Sequence, residues 1–371
     1  MTQRSTGRRA ASDPTVMGAV PERPFVVVTG AASGLGAVLA ERLVRSGRQV
    51  VGLDLETGMT DAVDWHCVDV RDPDIARVFA GADCVVHLAV STTPDADPLL
   101  RSDLNVRGTE CVLTAAAASQ VRHVVLVTSA AVHGASADNP APIDDEAPLL
   151  TAAEGLIGDL LEIEALAARS RDVNPNMRVT VIRPAALVGA GADSLVTRHF
   201  ASPLMLSVRD VEMRWQFVHA DDVAAAIDLV LQGAVRHEAV TVGCEGWLSQ
   251  RDVEAISGKR SIEVPSSVAF ATAERLHRAG LTPAPASELA YVVHPWVVTS
   301  SRLRHCGWTA AYDNPTALAA LIADLSGTSL AGRRLGRSDV TIAGAGAAGA
   351  TVAALLGAAA FVRKARRARG L

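Results

Sequence analysis

The stretch FVVVTGAASGLG, residues 25–36, decides the fold. FVVVT is a short β-branched run with no polar interruption before its last residue, the pattern of a strand buried on both faces. Gly30 ends it, and AVLAERLVRSG (37–47) then reads as an amphipathic helix closed by Gly47. Strand, spaced glycines and helix in this order make a phosphate cradle. Gly30 forms the tight turn, Gly34 lets a pyrophosphate approach the backbone, and Gly36 lets the helix pack closely on the sheet. The unpaired N–H groups around Ser33, Gly34 and Leu35, with the helix dipole, supply the anion site. Asp54 closes the next apolar run, RQVVGLD (48–54), where a carboxylate accepts from ribose hydroxyls and repels a 2′-phosphate. The expected cofactor is therefore NAD, with NADP less favoured.

Outward from this unit the alternation repeats. CVDV (67–70), DCVVHLA (83–89), HVVLVTS (123–129) and RVTVIRP (178–184) read as strands, separated by helical stretches such as NVRGTECVLTAAAASQ (105–120). The implied class is α/β, a Rossmann-type doubly wound parallel sheet whose ligand lies beyond the carboxyl ends of the strands. After Pro184 the alternation weakens, and FVHADDVAAAIDLVLQG (217–233) resumes as a strand running into a helix capped at Asp221 or Asp222. The expected organisation is a disordered leader (1–23), a dinucleotide-binding domain (24–184) and a smaller C-terminal substrate lobe (185–327) with elements returning to that domain. A linker (328–339), an apolar Ala/Gly-rich helix (340–362) and a basic tail (363–371) follow.

Composition narrows the function. A chain of 371 residues, 49% hydrophobic, holds ample core, and a net charge of −5 offers no basic face for nucleic acid. The five cysteines are widely spaced without a Cys-x-x-Cys, so neither a disulfide framework nor a metal site is signalled, and a cytoplasmic, reducing location fits. Only Lys259 and Lys364 are lysines. Residues 340–362 carry no charge and are flanked by arginines. That segment is long enough to span a bilayer, and it equally suits a helix resting on anionic lipid, a docked Ala-rich helix or a flexible tail.

Eight ordered segments between about residues 24 and 325 resemble the short-chain dehydrogenase/reductase superfamily, in its extended NAD-dependent epimerase/dehydratase branch. They are the glycine loop, Asp69-Val70, HLAV (87–90), DLNVRGTECVL (103–113), VTSAAVHG (127–134), IRPAALVG (182–189), WQFVHADDVAAAI (215–227) and LRHCGWTAAY (303–312). The resemblance implies that Asp69 and Val70 contact adenine and that Leu88, Ala89 and Pro184 lie along the cofactor. It makes Asn105 the family's structural asparagine, close to the cofactor site, and Ser129 the residue polarising the reacting oxygen. It also implies a small-molecule substrate of nucleotide-sugar type and a homodimer. The spacing TGxxxGxG is that of the single-domain branch.

The departure lies in the family's tyrosine and lysine. Counting from Ser129 places them at Glu154 and Gly158, with Gly155 continuing a Tyr-Gly dipeptide and Glu162 at the downstream acid. The only tyrosines, Tyr291 and Tyr312, have no lysine four residues on, and no lysine precedes Lys259. A phenol titrating near 10 works in such a site because an adjacent ammonium lowers its pKa. Glu154 has no cation at Gly158 to work with. As candidates for the proton, Glu154 is a substitute acid/base or a solvated helix-start glutamate, and His133 a titrating group or a packed loop residue. His87 reads as a satisfied core histidine. Two functions follow: an oxidoreductase or epimerase acting on a sugar-like hydroxyl or carbonyl with a non-standard acid/base, or a dinucleotide-binding sensor or scaffold without turnover, membrane-associated through residues 340–371.

Overall fold

The computed structural model describes residues 25–209 and 211–334. The expected leader, apolar segment and basic tail lie outside these residues. Among the described residues no helix is long and apolar enough to cross a membrane.

Seven strands form the central sheet: β1 (Phe25–Thr29), β2 (Gln49–Asp54), β3 (Asp64–Cys67), β4 (Cys84–His87), β5 (His123–Val127), β6 (Arg178–Pro184) and β7 (Ala239–Val242). All pair in parallel, in the order β7-β6-β5-β4-β1-β2-β3. Strand side chains alternate between faces, so β1 feeds two cores. Val26 and Val28 pack with Leu39 and Leu43 of helix α1 (Gly34–Arg45), and Val27 packs on the opposite face. That face carries α2 (Gly108–Ala118) and α3 (Gly155–Val173), while α4 (Ala220–Leu231) joins α1. The chain order reverses between β1 and β4, which opens a crevice over their carboxyl ends.

Two local expectations are corrected. The third strand lies at Asp64–Cys67 rather than at 67–70: its pairing with β2 ends where Cys67 meets Asp54, so Asp69 and Val70 leave the sheet as a turn. The cap of α4 is His219, whose Nδ1 accepts from the Asp221 amide at 3.2 Å, and not either aspartate. Asp222 is instead buried, and its carboxylate accepts from the Ala311 and Tyr312 amides. The segments FVHADDVA and LRHCGWTAAY are thereby joined.

The remainder builds a smaller lobe with its own core, in which Phe200, Met205, Trp215 and Phe217 pack beneath Leu289 and Val292. β7 returns from it to the main sheet beside β6. The last helix among the described residues, Asn314–Arg334, runs past the expected lobe boundary at 327 into the expected linker.

One buried ion pair fixes α3 against the sheet. Arg183 of β6 donates from Nε and Nη2 to Glu164 at 2.8 and 2.9 Å, and the Thr128 hydroxyl donates to the same carboxylate at 2.8 Å. Both charged side chains are below 10% exposed. Breaking such a pair leaves an uncompensated charge and costs about 3–5 kcal/mol. Glu164→Gln is expected to lower unfolding free energy by about that amount in urea titrations. Glu162→Gln, on the exposed face of the same helix, is expected to change it by less than about 0.5 kcal/mol.

Candidate functional site

The crevice is a cavity of about 550 Å³. Its first wall is the glycine loop. A Cβ on Gly36 would meet the Gly30 carbonyl oxygen at 1.9 Å, so α1 closes on the β1 turn only because residue 36 has no side chain. Ser33 stands at the N-cap of α1 without a side-chain cap bond, and the first turn holds no acid. The leading N–H groups therefore face the cavity beside Ser33, Gly34 and Leu35, an anion site by geometry and dipole.

Asp54 lines the cavity at the end of β2, its two oxygens accepting from the Ala32 amide at 2.9 Å and the Leu55 amide at 2.7 Å. Asp69 and Val70 line the same end. The Asp69 carboxylate is held by Arg71, which also donates to Asp103 at 2.6 Å, and this guanidinium keeps the Asp69 carboxyl below its ordinary range. Arg71 is a cavity residue that the sequence reading did not single out. Leu88, Ala89, Ser129 and Pro184 complete the strand-end wall of the cavity. Asn105 does not line the cavity. Its amide brackets Ser91, accepting from the backbone N–H at 2.8 Å and donating to the carbonyl at 3.0 Å, and so fixes the loop that does. His87 is fully buried between Thr29 and Thr109, and burial lowers its pKa to about 4, which makes it a neutral core residue.

At the opposite end the structure changes the reading of α3. Leu156, Ile157 and Leu160 line the cavity; Glu154 and Gly158 do not. Glu154 faces a separate depression together with His133, and a Cβ on Gly158 would meet the Ala153 carbonyl at 2.5 Å, leaving no space for a side chain. The acid that anchors the helix is Glu164, whereas Glu162 is half exposed and pairs with Arg169. Anchored on Glu164, the i and i+4 positions facing the cavity are Leu156 and Leu160, two residues beyond those reached by counting through the loop.

Three polar groups stand at this end. Ser129 accepts from the Ala131 amide at 3.1 Å and donates to the Pro184 carbonyl at 3.5 Å. Tyr291 reaches in from the smaller lobe, but its hydroxyl donates to the Ala131 carbonyl at 3.0 Å and burial pushes its pKa up to about 12. Glu288, also from the lobe, is 7% exposed. It accepts from the Leu156 amide at 2.8 Å and so caps α3, and burial raises its carboxyl above the ordinary value. The sequence carries no local signal for Glu288 or Tyr291, because each comes from more than 130 residues away. His133 is buried, its Nδ1 donating to the Pro148 carbonyl, and burial lowers its pKa.

The comparisons with known proteins agree with this architecture. An uncharacterised protein of Mycobacterium tuberculosis is 28% identical over 302 residues, covering 76% of this chain and 79% of its own length. UDP-glucose 4-epimerase of Thermus thermophilus in complex with NAD superposes with a TM-score of 0.64 at 19% identity, over 82% of this chain and 99% of that one. UDP-glucose 4-epimerase of Stenotrophomonas maltophila, with bound NAD and formylated UDP-arabinopyranose, gives 0.64 at 21% identity over 83% and 100%. At such identities the likeness is one of fold. The family model named NAD dependent epimerase/dehydratase family matches residues 26–243, the span from β1 through β7 that builds the crevice, and the chain belongs to that family.

Proposed function

We propose that the chain binds NAD in this cavity and holds it without the phenol-centred proton transfer of its family. The observation that carries this reading is the pairing of a complete glycine-loop wall with an apolar α3 wall, Leu156 and Leu160, at the other end. Gly30, Ser33, Gly34, Leu35 and Gly36 would take the pyrophosphate, Asp54 the adenosine ribose, Asp69 and Val70 the adenine, and Leu88, Ala89 and Pro184 the strand-end side. When bound, the nicotinamide supplies hydride chemistry. The chain supplies orientation through Ser129 and excludes water through the two leucines. Arg71 is engaged by Asp69 and Asp103, which leaves Asp54 to disfavour a 2′-phosphate and supports NAD over NADP. Among the described residues that line the cavity there is no lysine, histidine or cysteine, so the family's usual means of lowering a phenol's pKa is missing. The resulting protein reports the state of the dinucleotide.

A second reading, turnover on a hydroxyl or carbonyl of a nucleotide-sugar-like molecule, is favoured by one observation. The cavity extends past Ser129 to Ser194, Leu195 and Glu288 of the smaller lobe, beyond the residues assigned to the dinucleotide. The two fold neighbours crystallised with NAD belong to enzymes whose names contain UDP-glucose, which supports the same substrate class.

Calorimetric titration with NAD, NADH, NADP and NADPH tests the first reading. Tight binding of the NAD pair is expected, with Asp54→Ser narrowing the preference over the NADP pair by about tenfold. No binding of any dinucleotide would overturn it. The α3 register is tested by thiol labelling read peptide by peptide in a mass spectrometer. A cysteine at Leu156 is expected to be shielded from maleimide by NAD, and one at Glu154 to label at the same rate with or without it. The reverse pattern would restore Glu154 to the site.

A further inference from the structure

Glu288 occupies an unusual place. It lines the dinucleotide cavity, and it also lines the adjoining depression of about 590 Å³ that holds Glu154, His133 and His294. Ile157 and Tyr291 share that wall with it. Its position is built into the backbone. Gly155 has φ +65°, and a Cβ there would lie 2.2 Å from Glu288 Oε1, so a side chain at 155 would expel the carboxyl from the helix end. The other cavity carboxylates are otherwise engaged: Asp69 with Arg71, Asp193 with Arg198, and Asp54 with two backbone amides at the far end. Glu288 has one amide hydrogen bond, on Oε1, and no ion-pair partner within reach among the described residues.

We infer that Glu288 is the ionisable residue of the nicotinamide end, and that its charge sets the preference of the chain for oxidised over reduced dinucleotide. This rests on the reading that the cavity holds NAD. The oxidised nicotinamide ring carries a positive charge that the reduced ring lacks. In a low-dielectric site an anionic carboxylate near that end attracts the first and is indifferent to the second. In the family an ammonium stands on α3. Here Leu160 lines the wall, and the carboxylate from the lobe faces the cavity with one amide hydrogen bond and no ion-pair partner among the described residues.

The sign follows from the carboxyl's environment. Burial raises the Glu288 pKa, opposed by the Leu156 amide. Of the charged groups around it, Arg101 and His277 favour ionisation and Asp159 opposes it; Arg101 and Asp159 are themselves a buried pair at 2.8 Å. Tyr291 stays neutral well above neutrality, and burial lowers the pKa of His133 and of His294, so both imidazoles are neutral there. Among the described residues, His133 Nε2 and His294 Nδ1, both in the adjoining depression, are buried without a hydrogen-bond partner. As pH rises through the Glu288 pKa the carboxyl ionises, and affinity for NAD rises relative to NADH. By linkage, NAD binding releases a proton and NADH binding does not.

The test is a pair of calorimetric titrations of the full chain, with NAD and with NADH, from about pH 4.5 to about pH 8.5, a range that runs upward from the ordinary carboxyl value. The ratio of the two affinities is expected to shift toward NAD by about tenfold across this range. Glu288→Gln keeps an acceptor for the Leu156 amide and is expected to flatten the ratio. Glu154→Gln, outside the cavity, is expected to keep the full shift. Repeating the NAD titration in buffers of different protonation enthalpy should show proton release that is lost in Glu288→Gln alone. A flat ratio in the unaltered chain, or a shift that survives Glu288→Gln, overturns the assignment while leaving dinucleotide binding intact. Absence of binding by either form at every pH overturns the underlying reading and this one with it.

Discussion

The Glu164–Arg183 pair is the contact on which the rest of the site depends. It joins α3 to β6, and through Thr128 to the end of β5, so it sets both the rotation and the axial position of α3 over the strand ends. A helix rotated by two residues would present Glu154 and Gly158 to the crevice instead of Leu156 and Leu160. Buried ion pairs are weak evidence of net stability, but a misregistered helix would leave Arg183 unpaired in the interior, which is a strong penalty against every alternative. The same helix is held a second time by Asp159, which accepts from Arg101 at 2.8 Å. Two charged anchors, Asp159 and Glu164, set about 140° apart around the helix, leave α3 one way to sit.

Much of the fold was legible because its signals are local. Apolar runs of four to six residues, glycine turns and amphipathic stretches locate five of the seven sheet strands and the glycine-loop wall without any long-range information; β7 was not read. β3 slipped by three residues because DWHC is a polar-looking edge strand, whereas CVDV has the composition of a buried one. The α3 register was not legible for a different reason. It was counted through residues 130–154, a loop whose length no periodicity fixes, and Glu162 and Glu164 are equally good acids in the sequence. Their burial separates them, and the apolar spacing Ile157, Leu160, Ile163 and Ala167 carries the same information once it is used to choose the buried face. Glu288 and Tyr291 lay beyond any sequence rule, since their place in the site is a property of how the lobe folds back.

Burial also sorts the histidines. His87, His123 and His199 are buried with pKa values pushed down to about 4, 3 and 3, so they are packing groups that happen to carry nitrogen. His87 bridges two threonines on β1 and α2, which ties the first strand to the helix across the crevice floor. The imidazole expected beside the cofactor, His133, lies behind the wall and binds a carbonyl of its own loop. The cavity itself is left with carboxylates, one engaged guanidinium and a locked phenol.

Leucine at 160 and the carboxyl of Glu288 bear on one electrostatic question. A lysine at position 160 would sit on the cavity wall four residues from the Leu156 amide that Glu288 binds, and the two charges would form an ion pair that neutralises both. With leucine there, the carboxyl's burial is offset by one amide, by the more distant Arg101 and His277, and by the end of the α3 dipole, which favours anions but falls off within the first turn. That balance leaves its charge adjustable, in contrast to Asp69, which Arg71 keeps ionised. Gly155 leaves the room this contact needs: with φ +65° and a Cβ position 2.2 Å from Glu288 Oε1, a side chain there would push the carboxyl from its present place on the Leu156 amide. On the proposed reading, the glycine-loop wall would hold the dinucleotide at one end of the cavity, and a single buried acid delivered by the lobe would face it at the other.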